Sequence, residues 1–189
     1  MNFPQNKYKV IYADPPWSFA TYSDKGKGRS AERHYECMSL EDIQNLPVSS
    51  IAERDCVLFL WVTDPFLKIG LDLIETWGFK FKTVGFYWVK VAKGCEDGFI
   101  FDEDDLFMGN GYWTRANPEQ CLLATRGAPA ALARDVRRLV IAPRAEHSHK
   151  PAIVRERIER LCAGPYIELF ARETSPNWGV WGNETGKFR

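Results

Sequence analysis

Residues 8–17 read Tyr-Lys-Val-Ile-Tyr-Ala-Asp-Pro-Pro-Trp, and the fold is decided by how that stretch ends. Tyr8 to Ala13 is a short apolar run that reads as a buried strand. Pro15 and Pro16 then remove two consecutive backbone donors and force an extended, rigid path. Sheet pairing therefore stops at Asp14. Beyond it a carboxylate (Asp14), a carbonyl released from any ladder (Pro15) and a ring (Trp17) are held in one cluster.

Further strands are expected at 56–62 (CVLFLWV), 83–91, 120–125, 139–142 and 166–171. The spacing of Phe66, Ile69, Leu73 and Trp77 predicts a helix over 65–77, with Gly78 as its stop. A second helix over 151–162 opens on Pro151 and repeats Ile153, Val154, Ile158 and Leu161 on one face. A shorter one over 39–46 would be capped by Ser39, with Asp42 three residues on. Apolar strands alternating with helices argue for an α/β sandwich, with a mostly parallel sheet covered by helices on both faces. The 189 residues are expected to form one domain, residues 1–189. In such folds ligands bind outside the carboxyl ends of the strands, which is where Asp14 falls.

Composition excludes several classes. Lys plus Arg and Asp plus Glu both number 25, so the chain is neutral and does not coat nucleic acid by charge alone. It has no run of 18 apolar residues to span a membrane, and residues 1–10 lack an apolar signal core, so a cytoplasmic protein is expected. The five cysteines are odd in number, scattered and without a Cys-x-x-Cys pair, which predicts buried reduced thiols. His147 and His149 lack a sensibly spaced third ligand, so no metal is expected. Neither a P-loop nor a Gly-x-Gly-x-x-Gly motif is present. Aromatics make up 14%, which suits either a ring-rich core or a surface that stacks on nucleobases.

The cluster at Asp14 suits an exocyclic amine. The two N–H groups of such an amine have acceptors in the Asp14 side chain and the Pro15 carbonyl, and Trp17 offers a ring to the base. An adenine N6 is a poor nucleophile because its lone pair is delocalised into the ring. Two acceptors on its hydrogens favour the pyramidal nitrogen, which can attack an electrophilic methyl in line. Asp14 then stabilises the positive charge that develops, and positioning does most of the rest.

Four blocks carry a resemblance. They are Ala13-Asp14-Pro15-Pro16-Trp17; Leu58-Phe59-Leu60-Trp61-Val62-Thr63; Ser148-His149-Lys150-Pro151; and Ile167-Glu168-Leu169-Phe170-Ala171-Arg172 with Pro176-Asn177-Trp178 and Gly182-Asn183. In this order they resemble the MT-A70 family of S-adenosylmethionine-dependent N6-adenine methyltransferases, from about Tyr8 to Glu184. The resemblance implies a Rossmann-like class I methyltransferase fold. It implies that Asp14, Pro15, Pro16 and Trp17 form the catalytic motif, with Asp14 also near the cofactor. It implies cofactor contacts by Lys150, Phe170, Arg172, Asn183 and Glu184, and a target-base pocket lined by Tyr35, Trp61 and Glu119. Some relatives have Gly at the position of Ala171 and a His-Asn pair just after Arg172, where this chain has Glu173 and Thr174.

The expected reaction is methyl transfer from S-adenosylmethionine to adenine N6 in DNA, by analogy with short bacterial and phage members. The target adenine would be flipped out of a duplex. RNA as substrate, or a non-catalytic nucleic-acid-binding subunit of the same fold, are the alternatives; the intact tetrapeptide speaks against the latter. Residues 21–33, with Lys25, Lys27, Arg29 and Arg33, read as a loop that closes over a phosphate backbone or as a solvated turn. Residues 94–113 hold six acidic residues and no basic one; the stretch Glu96–Asp105 would repel nucleic acid and reads as a solvated loop or a partner contact rather than a substrate surface. Arg137, Arg138 and Arg144 are candidates for phosphate contacts. Neutral charge implies weak intrinsic affinity for nucleic acid, so a homodimer or heterodimer is expected.

Overall fold

The computed structural model describes residues 2–17, 38–92, 95, 102–144, 149–183 and 185. Within these, β1 (Tyr8–Ala13) is followed by α1 (Leu40–Asn45), α2 (Val48–Ile51), β2 (Ala52–Val62), α3 (Leu67–Thr76) and β3 (Lys80–Val91). Then come β4 (Glu119–Arg126), β5 (Leu139–Pro143), α4 (Ala152–Leu161), β6 (Tyr166–Leu169) and β7 (Trp178–Trp181). The seven strands form one sheet in the order β5-β3-β4-β2-β1-β6-β7. β1 lies in parallel between β2 and β6, β7 extends β6 in parallel, and β3 and β5 are parallel. β4 runs antiparallel to both of its neighbours. The sheet is thus mostly parallel with one reversed strand inside it, an α/β sandwich consistent with a Rossmann-like class I methyltransferase.

The period-2 alternation of buried strands sets the two faces. Ile11 and Ala13 of β1, with Leu58, Leu60 and Val62 of β2, pack against Ile43, Val48, Ile51, Leu73 and Ile74 of α1 to α3. Their neighbours Val10, Tyr12, Val57, Phe59 and Trp61 face the other way, onto Val154 and Ile158 of α4 with Phe86, Trp88 and Trp178. Helices therefore cover both faces, as expected.

The helices begin and end for local reasons. Ser39 caps α1, its Oγ accepting from the Asp42 amide at 3.0 Å. A single 3-10 turn, Asp64–Phe66, leads into α3 with Pro65 in its first turn. Gly78 ends α3 at φ 83°, a left-handed conformation that glycine adopts without strain. The Trp77 indole, 1% exposed, donates to the Ile43 carbonyl and ties α3 to α1. Arg157 donates to the carbonyls of Arg137 and Leu139, fixing α4 beside the entry to β5.

Four features differ from the pattern-based reading. β4 is antiparallel, which its apolar sequence does not reveal. β3 begins at Lys80 rather than 83: Lys80 and Lys82 interrupt the apolar run on either side of the exposed Phe81, but β4 pairs with the backbone of that stretch. β6 stops at Leu169, because Phe170 takes φ 62° and leaves the ladder. β7 lies in a stretch that reads as a loop; the Trp178 ring stacks on Tyr166 of β6, with centroids 4.9 Å apart, and anchors the added strand.

Candidate active site

The carboxyl ends of β1, β2 and β6 and the start of β4 converge on a chain of buried charges. Asp14 follows the last residue of β1. The Lys150 ammonium, just before α4, donates to Asp14 Oδ2 at 2.8 Å. On its other side it meets Glu119 Oε2 at 3.3 Å. Glu119 Oε1 in turn accepts from Lys90 at 2.6 Å. The four side chains are only 11–19% exposed and alternate in sign, so none is an isolated buried charge. The two ammonium groups also lie over rings, Lys150 5.3 Å from the Trp61 ring and Lys90 5.2 Å from the Trp88 ring.

The environment fixes these charges. Burial alone would raise the Glu119 pKa, but Lys150 and Lys90 outweigh it and hold the carboxyl at about 2. Burial would lower that of Lys150, but Asp14 and then Glu119 outweigh it and push it above its ordinary value.

A small cleft opens beside Asp14 and Lys150. It is also lined by His149, Arg155, Glu168, Phe170, Arg172 and Glu173. Its rim is the turn after β6, where Phe170 is left-handed and its ring meets Trp181 edge-on at 5.6 Å. The Ala171 amide bonds to the Trp181 carbonyl at 3.0 Å. A side chain at position 182 would come within 2.5 Å of the Ala171 carbonyl, so Gly182 lets β7 close on this turn. Behind the rim Arg155 bonds Glu168 at 2.8 Å and also pairs with Glu173, while His149 meets Glu173 at 2.8 Å. Burial raises the Glu168 pKa, and the Arg155 guanidinium only partly offsets it.

Several expected site residues are placed differently from their expected roles. Trp17 is 6% exposed; its ring stacks on Phe66 with centroids 5.3 Å apart, and its indole donates to the Trp61 carbonyl at 3.2 Å. It thus packs in the core rather than offering an open ring to a base. The Pro15 carbonyl is not bare: it accepts from the Trp17 amide at 2.8 Å, which leaves it one lone pair. Trp61 is 1% exposed, donates to the Tyr12 hydroxyl at 2.6 Å and meets Trp88 edge-on, so it supports Lys150 from below rather than lining an open pocket. Lys150 sits between Asp14 and Glu119 as well as on the cleft. Phe170 and Arg172 line the cleft. Asn183 is exposed beyond β7 and is not among the lining residues. Tyr35, Glu184 and the basic stretch 21–33 lie outside the described residues.

Lys90, Arg155, Glu168 and Glu173 belong to the site and were not anticipated from the sequence. For two of them a signal exists: Lys90 is the sole charge of the expected strand 83–91 and Glu168 that of 166–171, which in a sheet covered on both faces calls for a partner.

The donor set of the cleft fits a molecule with a flat ring and a zwitterionic tail. Phe170 supplies a ring edge, Arg172 and Lys150 suit a carboxylate, and Glu168 and Asp14 suit an ammonium or hydroxyls. The MT-A70 family model matches residues 8–184. The type II methyltransferase M.MunI of a Mycoplasma species is 34% identical over 200 residues, covering 96% of this chain and 79% of that protein. The human N(6)-adenine-specific methyltransferase METTL4 is 30% identical, and the human N(6)-adenosine-methyltransferase catalytic subunit METTL3 28%. These matches cover 96% and 94% of this chain but only 38% and 28% of the human proteins. With the match spanning nearly every described element, from β1 through β7, the chain belongs to the MT-A70 family.

Proposed function

We propose that the chain is an S-adenosylmethionine-dependent N6-adenine methyltransferase acting on DNA. The observation that carries this reading is Asp14 at the end of β1, charge-paired to Lys150 and open to the cleft after β6. S-adenosylmethionine, when bound there, supplies an electrophilic methyl group; Phe170, Arg172 and Glu168 are the residues that would hold it. Asp14 and the remaining lone pair of the Pro15 carbonyl accept the two hydrogens of the target amine. Lys150 occupies one acceptor position of the carboxylate, out of about four that a carboxylate offers, and thereby fixes its orientation. The carboxylate then stabilises the positive charge that grows on N6. Burial of the cluster keeps water from weakening that interaction.

DNA is favoured because the match spans 79% of M.MunI, a type II methyltransferase, against 38% and 28% of the two human proteins. The neutral net charge supports a partner subunit or a dimer that adds nucleic-acid contacts. The test is transfer of radiolabelled methyl from S-adenosylmethionine to adenine-containing DNA and RNA oligonucleotides, followed by digestion to nucleosides. Label in N6-methyldeoxyadenosine supports the proposal. Label only in N6-methyladenosine moves the substrate to RNA. Cofactor binding without transfer to either polymer contradicts an autonomous enzyme.

A further inference from the structure

We infer that Tyr112 and Trp113 form a base-stacking tip that holds nucleotides flanking the target adenine. The inference rests on the proposed reading of the site and extends it to the substrate strand. Between the single 3-10 turn Glu103–Asp105 and β4 the chain folds back on itself. The neck of this fold is built on the active site. Asn117 donates to the carbonyls of Phe107 and Lys90 at 2.6 and 2.8 Å and accepts from the Lys90 amide at 3.0 Å. Lys90 is the same residue whose ammonium holds Glu119. The Phe107 amide also bonds to the Lys90 carbonyl at 2.8 Å, and Gly109 bonds to Ala116 at 2.7 Å.

Beyond this neck the turn is tight. A side chain at position 111 would sit 2.0 Å from the Thr114 carbonyl, so only glycine permits the close return. Trp113 takes φ 71°, a conformation that a bulky residue rarely adopts. The result is exposure: Tyr112 is 90% and Trp113 93% exposed, with Met108 at 73%. Rings this exposed add almost nothing to the core, so a fixed neck and a disfavoured backbone present them to something outside the described chain.

Size selects a nucleobase as that occupant. Two rings offer on the order of 300–500 Å². That is short of the ~800 Å² per partner of a stable protein interface, but enough for one or two stacked bases. Residues 106–118 contain one cation, Arg115, and no acidic residue; the six acidic residues of 94–113 all fall at or before Asp105. Arg144 lies over the Phe107 ring at the neck, 3.5 Å from its centroid. The tip is five or six residues from the neck, a reach of at most about 20 Å from the catalytic cluster.

The experiment compares wild type, Tyr112→Ala/Trp113→Ala and Tyr112→Phe/Trp113→Phe. It measures fluorescence anisotropy with a fluorescein-labelled adenine-containing DNA oligonucleotide in the presence of S-adenosylhomocysteine, across a salt series. The double alanine variant should bind about 10-fold or more weakly, the double phenylalanine variant should recover most of that, and the salt dependence should stay as in wild type because no charge is removed. Melting temperature and S-adenosylhomocysteine affinity should be unchanged. Unaltered DNA affinity would overturn the inference, as would a loss accompanied by a dimer-to-monomer shift in sedimentation, which would make the tip a protein contact. A wild-type protein that binds neither DNA nor RNA would instead overturn the reading beneath it.

Discussion

Lys150 and Asp14 lie 136 positions apart in sequence, yet their charged groups meet at 2.8 Å, and the same ammonium reaches Glu119 at 3.3 Å. One cation thus ties the end of β1, the start of β4 and the approach to α4 to a single point. Lys150→Met leaves two carboxylates facing each other without it. Removing one partner of a buried pair costs about 3–5 kcal/mol. For a chain of this length that lowers the melting temperature by roughly 10 °C. Single-turnover methyl transfer should fall by about 100-fold or more. Lys150→Arg should recover most of the stability and only part of the rate, since the longer, planar guanidinium bridges the two carboxylates in a different geometry and shifts Asp14 from its position. Calorimetry and single-turnover kinetics read the two effects separately.

The charges of Glu119 and Lys150 should not titrate near neutrality. Glu119, held at about 2, contributes stability that is present above the ordinary value of 4.5 and is lost as pH falls toward 2. Lys150, raised above 10.5, contributes stability that is present below that value and is lost only as pH rises past its elevated pKa. Between about pH 5 and 10 both contributions are constant. The melting temperature of Glu119→Gln relative to wild type should therefore differ by the same amount at pH 6, 7.5 and 9. A difference that changes across this window would contradict the assigned charges.

Trp17 is expected to act through packing. Stacked on Phe66 and bonded to the Trp61 carbonyl, it closes the core beneath the catalytic cluster. Trp17→Ala should cost about 3–5 kcal/mol and be visible as a lowered melting temperature. Trp17→Phe keeps the stack and loses one hydrogen bond, a cost of about 1 kcal/mol. A Trp17→Ala protein with wild-type stability and impaired turnover alone would return the ring to direct contact with the base.

How much of this was legible beforehand follows from what each residue signals locally. Tyr8 to Ala13 ending on Asp14-Pro15-Pro16 declares both a buried strand and its stop, because apolar runs and prolines act on their own neighbourhood. Ser39 and Gly78 mark helix ends for the same reason, and both do so in the structure. The direction of β4 is a long-range property, set by which strands it inserts between. Trp17 and Trp61 read as rings offered to a base; the sheet register buries Trp61, and Phe66 with the Trp61 carbonyl buries Trp17. The partnership of Lys150 with Asp14 and Glu119 arises from three separate elements meeting, which no local pattern encodes. Lys90 and Glu168 were visible as lone charges in apolar strands, and burial on both faces turns them into site residues.

Three of the cysteines should be inert in the folded protein. Burial pushes the Cys56 thiol to about 12 and that of Cys162 to about 11, and raises Cys121 well above its ordinary value. The thiolate is the reactive form, so it is scarce at these positions. Iodoacetamide at pH 8 followed by peptide mass mapping should leave Cys56, Cys121 and Cys162 unmodified until denaturant is added. Rapid labelling of Cys121 in native protein would contradict its place in the sheet beside Trp61.

The measurement that bears most directly on the central claim is single-turnover methyl transfer by Asp14→Ala, paired with S-adenosylmethionine affinity from calorimetry. The account predicts that transfer to adenine N6 falls by at least about 100-fold, because the group that accepts the amine and stabilises its charge is gone. Cofactor affinity should change by less than about 10-fold, because Phe170, Arg172 and Glu168 remain. Transfer at the wild-type rate would contradict the assignment of Asp14.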